Sequence, residues 1–117
     1  MNFNFEIIAE GVRLFNEGNY FEAHDYFEDL WMDARGEEKI FLQALIQLSV
    51  ASFHLINNNI KGAKSQFSKC LRKLKNYPDK YCFINVKDLI RQIEILFGKI
   101  NINTERKFLI EIPLFEK

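Results

Sequence analysis

Within Glu22-Ala23-His24-Asp25-Tyr26-Phe27-Glu28-Asp29-Leu30-Trp31, a histidine, a carboxylate and the chain's only tryptophan stand at i, i+4 and i+7. On a helix advancing about 100° per residue, His24, Glu28 and Trp31 fall within roughly 60° of one another. An imidazole and a carboxylate four residues apart can hold one metal ion or share one proton. A second polar set, Gln43, Gln47 and His54, interrupts an otherwise apolar stretch, and on the same wheel it spans about 40°. Burying such groups costs about 2 kcal/mol or more each unless they find partners. The simplest arrangement therefore lets the two stripes face one another across an antiparallel helix pair. His24, Glu28, Gln43, Gln47 and His54 then form one cluster, with Trp31 alongside.

Three readings of that cluster compete. It is a hydrogen-bond network fixing helix register, with His24 bonded to Glu28 or Gln47. Alternatively His24, Glu28 and His54 are candidate metal ligands, two imidazoles and a carboxylate that leave positions open for water or substrate on zinc, iron or manganese. The third reading is a small-ligand or peptide pocket, in which Trp31 is the wall and Gln43 and Gln47 orient the ligand. A hydrolase-like enzyme with His24 and His54 as ligands or bases would be the catalytic form. The alternative is a non-catalytic interaction module of helical hairpins with a purely structural polar network. Other chemistry finds no motif: GxGxxG, a phosphate loop, GxSxG and HExxH are all missing. Ser49 and Ser52 read as small spacers on a packed helix, and Cys70 lies on a different helix from both histidines.

The elements that must position these residues are helical nearly throughout, and the chain is expected to be one all-α domain over residues 1–117. Helix one is expected from about Phe5 to Glu17, stopped by Gly18, with Asn19 as N-cap of helix two, about Tyr20 to Ala34. On helix two Phe27, Leu30, Ala23 and Ala34 make the core side, while Glu22, Asp25, Asp29 and Asp33 lie on the opposite side and read as a solvated face. Gly36 closes helix two. Helix three, about Glu38 to Asn57, is apolar around its circumference and so central in the bundle. Asn57-Asn58-Asn59 is a turn, helix four runs to about Asn76, and Tyr77-Pro78-Asp79 breaks it. A fifth helix spans about Val86 to Phe97. The tail, about residues 104–117, is apolar and extended, Pro113 barring helix, and is expected to dock on its own domain. An offset of forty residues aligns Asn19 with Asn59, Ala23 with Ala63, Phe27 with Phe67 and Trp31 with Leu71. Stacked helical hairpins would produce that repeat; with only two copies, a compact bundle of about five helices is expected rather than a solenoid.

Sixteen basic and sixteen acidic residues balance to zero, with pI near 6.7, which argues against a dedicated nucleic-acid or membrane-surface binder. A protein partner or self-association stays open. The basic stretch Lys69, Arg72, Lys73 and Lys75 alternates with Cys70, Leu71 and Leu74 at helical spacing and reads as a solvated face. Cys70 and Cys82 make no CxxC pair and read as reduced thiols. The start of the chain has no secretion-signal pattern, and no continuous apolar run reaches the roughly 18 residues that span a bilayer. The expected setting is soluble, cytoplasmic or plastid stroma. Phe, Ile, Asn and Lys make up 48 of 117 residues, all with AT-rich codons, so an AT-rich bacterial or plastid genome is expected.

Phe15 through Trp31, then Phe41-Leu42-Gln43-Ala44-Leu45-Ile46-Gln47-Leu48, Ala51-Ser52-Phe53-His54 and Asn59-Ile60-Lys61-Gly62-Ala63 resemble the segments of the "domain of unknown function 309" family. The resemblance covers about residues 10 to 75. Its His-xxx-Glu-xx-Trp/Tyr motif is matched by His24, Glu28 and Trp31. Asp25 stands where the family more often has Glu, a departure on the solvent side that is not expected to matter. The resemblance implies a small all-helical bundle and suggests metal binding by the histidine motif; it implies no reaction.

Overall fold

The computed structural model describes residues 3–100 and 109–115. Its helices are α1 (Phe5–Asn16), α2 (Tyr20–Asp33), α3 (Gly36–Ile56), α4 (Ile60–Leu74) and α5 (Val86–Ile100), and a short hairpin, β1 (Lys80–Tyr81) and β2 (Ile84–Asn85), precedes α5. The expected all-α bundle of five helices is what forms. α3 is the central element, packed between α2 on one side and α4 on the other, with α1 behind α2 and α5 behind α4.

The forty-residue repeat is a repeat of local geometry. α1 ends where Gly18 takes φ 87°, letting Asn19 N–H reach back to Leu14 O at 2.9 Å. α3 ends the same way: Asn58 takes φ 66° and Asn59 N–H reaches His54 O at 2.8 Å. Both are left-handed helix stops that satisfy the last carbonyls. The next residue then starts a helix, with Asn19 O and Asn59 O accepting from Ala23 and Ala63 N–H, each at 2.9 Å. Asn59 adds a side-chain cap to Gly62 N–H at 3.0 Å, whereas the Asn19 side chain caps nothing. Ala23, Ala63, Phe27 and Phe67 are fully buried, so α2 and α4 insert equivalent residues into the core. Gly11 on α1 lets α2 approach: a Cβ there would lie 2.4 Å from Phe27 Cε1.

Several boundaries differ from expectation. α2 ends at Asp33, with Ala34 extended as its C-cap. Gly36, at φ 60°, opens α3 rather than closing α2. α5 runs past Gly98 to Ile100. The hairpin β1–β2 was not expected: Cys82 and Phe83 form its turn with φ 49° and 65°, and neither is a residue type that announces such a turn. α3 also corrects the membrane argument, because an 18-residue window within it averages hydropathy 1.5, enough in length and composition to cross a bilayer. Half of that window is buried in the bundle, while Ile40, Phe53 and Ile56 stay exposed.

Of the tail, Leu109–Phe115 falls within the described residues and docks as expected; 104–108, 116 and 117 lie outside them. Leu114 bridges to Ile84, adding to the edge of the hairpin, with Asn85 N–H on Pro113 O and Phe115 N–H on Phe83 O, both 2.8 Å. Asn16 then takes the backbone of Ile112 in both directions, at 3.1 and 2.8 Å. Gln92 does the same to Glu111, at 2.9 Å each way. Two side-chain amides thus stand in for a neighbouring strand, and Ile110 and Ile112 are buried beneath.

Candidate functional site

α2 and α3 are joined by Ala34 and Arg35 alone and pack antiparallel, so the two polar stripes do lie along the same seam. The structure divides them between two adjacent hollows. One, of about 230 Å³, is lined by Tyr20, Phe21 and His24 from α2 and by Ser49, Val50, Phe53 and His54 from α3. The other, of about 160 Å³, is lined by Glu28, Trp31, Gln43, Ile46 and Gln47. His24 and His54 therefore share an aromatic hollow, while Glu28, Trp31, Gln43 and Gln47 share a more polar one. Larger depressions of about 500 and 430 Å³ lie against α5 and α1, but neither is lined by an imidazole or a thiol.

The hydrogen bonds expected of a register-fixing network are not the ones formed. His24 Nδ1 lies 3.1 Å from Asp25 Oδ1, and among the described residues His24 bonds neither Glu28 nor Gln47. Gln47 Oε1 accepts instead from Lys73 Nζ of α4 at 3.0 Å, so Lys73 is half-buried and partnered rather than part of a purely solvated face. Asn59 Nδ2 lies 3.3 Å from His54 Nδ1, where a neutral Nδ1 accepts. Trp31 is clasped by Lys39: its carbonyl accepts from Nζ at 3.0 Å, and the ammonium sits 4.2 Å from the indole centroid. That is a tie across the α2–α3 turn of about 0.5–1 kcal/mol at a partly exposed site.

Among the described residues, His24, Asp25 and Glu28 form the group with metal-ligand character: one donor atom from each lies within 4.8 Å of the others. Of the candidate ligands His24, Glu28 and His54, two belong to this group; His54 faces His24 across the aromatic hollow instead. Asp25 was assigned to the water-facing side. Its side chain is indeed 57% exposed, but adjacency in sequence brings its carboxylate round to the imidazole. Sequence contained that signal, because a carboxylate beside a histidine reaches it without sharing its helix face. Phe21 and Phe53 are the hollow's exposed aromatic walls, with centroids 6.2 Å apart; neither stands out in the sequence, where apolar residues run around all of helix three and Phe21 precedes an acidic residue on helix two. Burial raises the Tyr20 phenol above its ordinary pKa, so it stays a neutral hydroxyl at the edge of the hollow.

Three donors on a divalent ion at about 2.1 Å stand about 3–3.4 Å from one another. Rotamer changes of about an ångström would close the observed spacing, and His24 at 26% side-chain exposure has room to make them. An imidazole with two carboxylates suits zinc, manganese or iron.

Fold and seam together define a class: a small protein of stacked helical hairpins carrying a histidine–carboxylate group on its second helix. The profile of the family described as "Domain of unknown function (DUF309)" matches residues 8–66, half of the chain and all of the α2–α3 seam, and the chain belongs to that family. A protein of Aquifex aeolicus (strain VF5) named "Uncharacterized protein" is 24% identical over 94 residues, 80% of this chain and 28% of the relative. The aligned stretch thus spans little more than a quarter of that relative's length.

Proposed function

We propose that the protein binds a divalent transition metal ion through His24, Asp25 and Glu28, and that the adjoining aromatic hollow receives the organic part of a small ligand. The observation that carries this reading is the convergence of three donor atoms within 4.8 Å beside a hollow that His24 also lines. An ion held by three side chains of one helix keeps positions open toward the seam. A ligand there could meet the metal with an anionic group while Phe21, Val50 and Phe53 cover its apolar part. Hydrolase-like chemistry would use the same open positions to activate water, with His54 across the hollow as a base. Gln43 and Gln47, in the neighbouring hollow, are placed to orient a polar extension.

Calorimetric titration of metal-stripped protein with Zn²⁺, Mn²⁺ and Fe²⁺ tests the reading against His24→Ala and Asp25→Asn. The expected result is a one-to-one site that both substitutions weaken by at least tenfold, with circular dichroism unchanged. Equal uptake by wild type and His24→Ala would refute it. A second reading, the interaction module, draws on the exposure of Phe21 and Phe53 at 58% and 40%, which is apolar surface that an ion alone would leave wet.

A further inference from the structure

The zero net charge conceals a partition. α2 carries Glu22, Asp25, Glu28, Asp29 and Asp33 and no lysine or arginine, whereas α4 carries Lys61, Lys64, Lys69, Arg72 and Lys73 and no carboxylate. These are the two helices that flank α3. Among the described residues, none of the five α2 carboxylates pairs with a lysine or arginine. Between the charged flanks, α3 presents Ile46, Val50 and Phe53 at i, i+4 and i+7, the first two half-buried and Phe53 exposed. The basic flank belongs to the same face: Lys73 reaches Gln47 on the seam, and Lys69 stands one turn along α4 from it.

We infer that this face is self-complementary and that two copies of the chain associate through it about a two-fold axis parallel to α3. Such an axis lays the α3 stripe of each copy on its counterpart and sets acidic α2 of one against basic α4 of the other. A two-fold axis across the helices would instead set α2 on α2, like charge on like charge. The repeat also sets the register. α2 and α4 run parallel from equivalent turns, so residues forty apart stand level, and Glu28 is within one residue, about 1.5 Å of rise, of the level of Lys69. The pairing is made twice in the dimer, once at each edge. The charge pattern and register need no metal, although this face shares Glu28, Val50 and Phe53 with the proposed ligand site.

Sedimentation velocity across a range of protein concentrations, with reciprocal charge reversals, is the test. Wild type is expected to approach twice its 13.9 kDa as concentration rises, and to dissociate as salt screens the flanks. Asp25→Lys with Glu28→Lys sets lysines against Lys69 and Lys73 across the dimer interface; Lys69→Glu with Lys73→Glu sets glutamates against Asp25 and Glu28. Each double variant alone is expected to be monomeric, and a mixture of the two to form a one-to-one heterodimer. Phe53→Ser, at an exposed site, is expected to weaken association at least tenfold with helicity unchanged. A wild type that stays monomeric at millimolar concentration, a charge-reversed variant that dimerises alone, or a mixture that does not associate would each overturn the inference. The Lys69/Lys73 variant keeps His24, Asp25 and Glu28, so its metal uptake as a monomer reports on the metal site separately.

Discussion

Replacing Asn16 with Ala should release the C-terminal tail without unfolding the helices. Among the described residues, six hydrogen bonds hold Leu109–Phe115, two each from Asn16 and Gln92 and two at the hairpin edge. At about 1 kcal/mol net apiece they contribute roughly 6 kcal/mol. Burial of Ile110 and Ile112 adds about 1.5–3 kcal/mol each, and fixing seven residues costs about 1–2 kcal/mol each. These amounts offset one another to within a few kcal/mol, so the seat is only marginally favourable by itself. Loss of both Asn16 bonds, about 2 kcal/mol, then exceeds what holds the segment down. The molecule's response is local opening rather than global destabilisation. Hydrogen exchange read by nuclear magnetic resonance should show the Ile112 and Phe115 amides losing most of the protection the seat gives them, a drop bounded by the roughly 30-fold that about 2 kcal/mol corresponds to. The Leu45 and Leu48 amides in α3 should stay within about threefold of wild type, protected by global stability. Gln92→Ala should behave alike. An Ile112 amide as protected as before, or an equal loss of protection in α3, would refute the reasoning.

Gly11→Ala should destabilise the protein although alanine is the better helix former by about 1 kcal/mol. The new methyl meets the Phe27 ring at 2.4 and 2.6 Å, and Phe27 is fully buried, so overpacking of about 1–3 kcal/mol outweighs the propensity gain; a raised urea midpoint would contradict this. Alkaline pH should weaken the fold through Cys70, whose thiol burial pushes up to about 12 from an ordinary 9.0. Folding keeps that thiol neutral, so its contribution is whole below about pH 9 and is lost between there and about 12, because the unfolded chain releases the proton first. The slope is about 1.4 kcal/mol per pH unit, and Cys70→Ala should flatten it in urea midpoints measured over that range; parallel slopes would count against it. Cys82, pushed up to about 11 by burial, adds a smaller part over a narrower window.

Helices were legible because their signals are local. Gly18 and the three asparagines at 57–59 mark stops that need left-handed or irregular backbone, and the alanine–phenylalanine pairs at 23/27 and 63/67 mark the buried side of each flanking helix. The hairpin was not legible, because its turn uses Cys82 and Phe83 at positive φ, held there by the docked tail rather than by residue type. The seat of that tail was hidden for a related reason: Asn16 and Gln92 are ordinary polar residues on helix surfaces until Ile112 and Glu111 arrive from far along the chain. At the candidate site, helical-wheel reasoning found His24, Glu28, Trp31, Gln43, Gln47 and His54 and the seam they share. It could not say that Gln47 would turn to Lys73, or that His54 would turn to Asn59. A wheel assigns directions to one helix at a time, and those partners come from α4 and its cap.

The same limit applies to charge. A chain-wide sum of zero argues against a strongly basic or acidic surface overall. It says nothing about where charges stand. α2 and α4 are equivalent structural units that insert the same residue types into the core at positions forty apart, yet their outward faces carry opposite sign throughout. The fold alone does not require this, since a solvated face tolerates mixed charge, and mixing would even add a few tenths of a kcal/mol per i, i+4 pair. Both helices forgo those pairs entirely. Beyond the helix-dipole gain of Glu22 in the first turn of α2 and of Arg72 and Lys73 in the last turn of α4, self-repulsion within each helix works slightly against the separation. An offsetting gain arises where an α2 meets an α4 that is not its own neighbour, which is the contact made by a two-fold axis along α3.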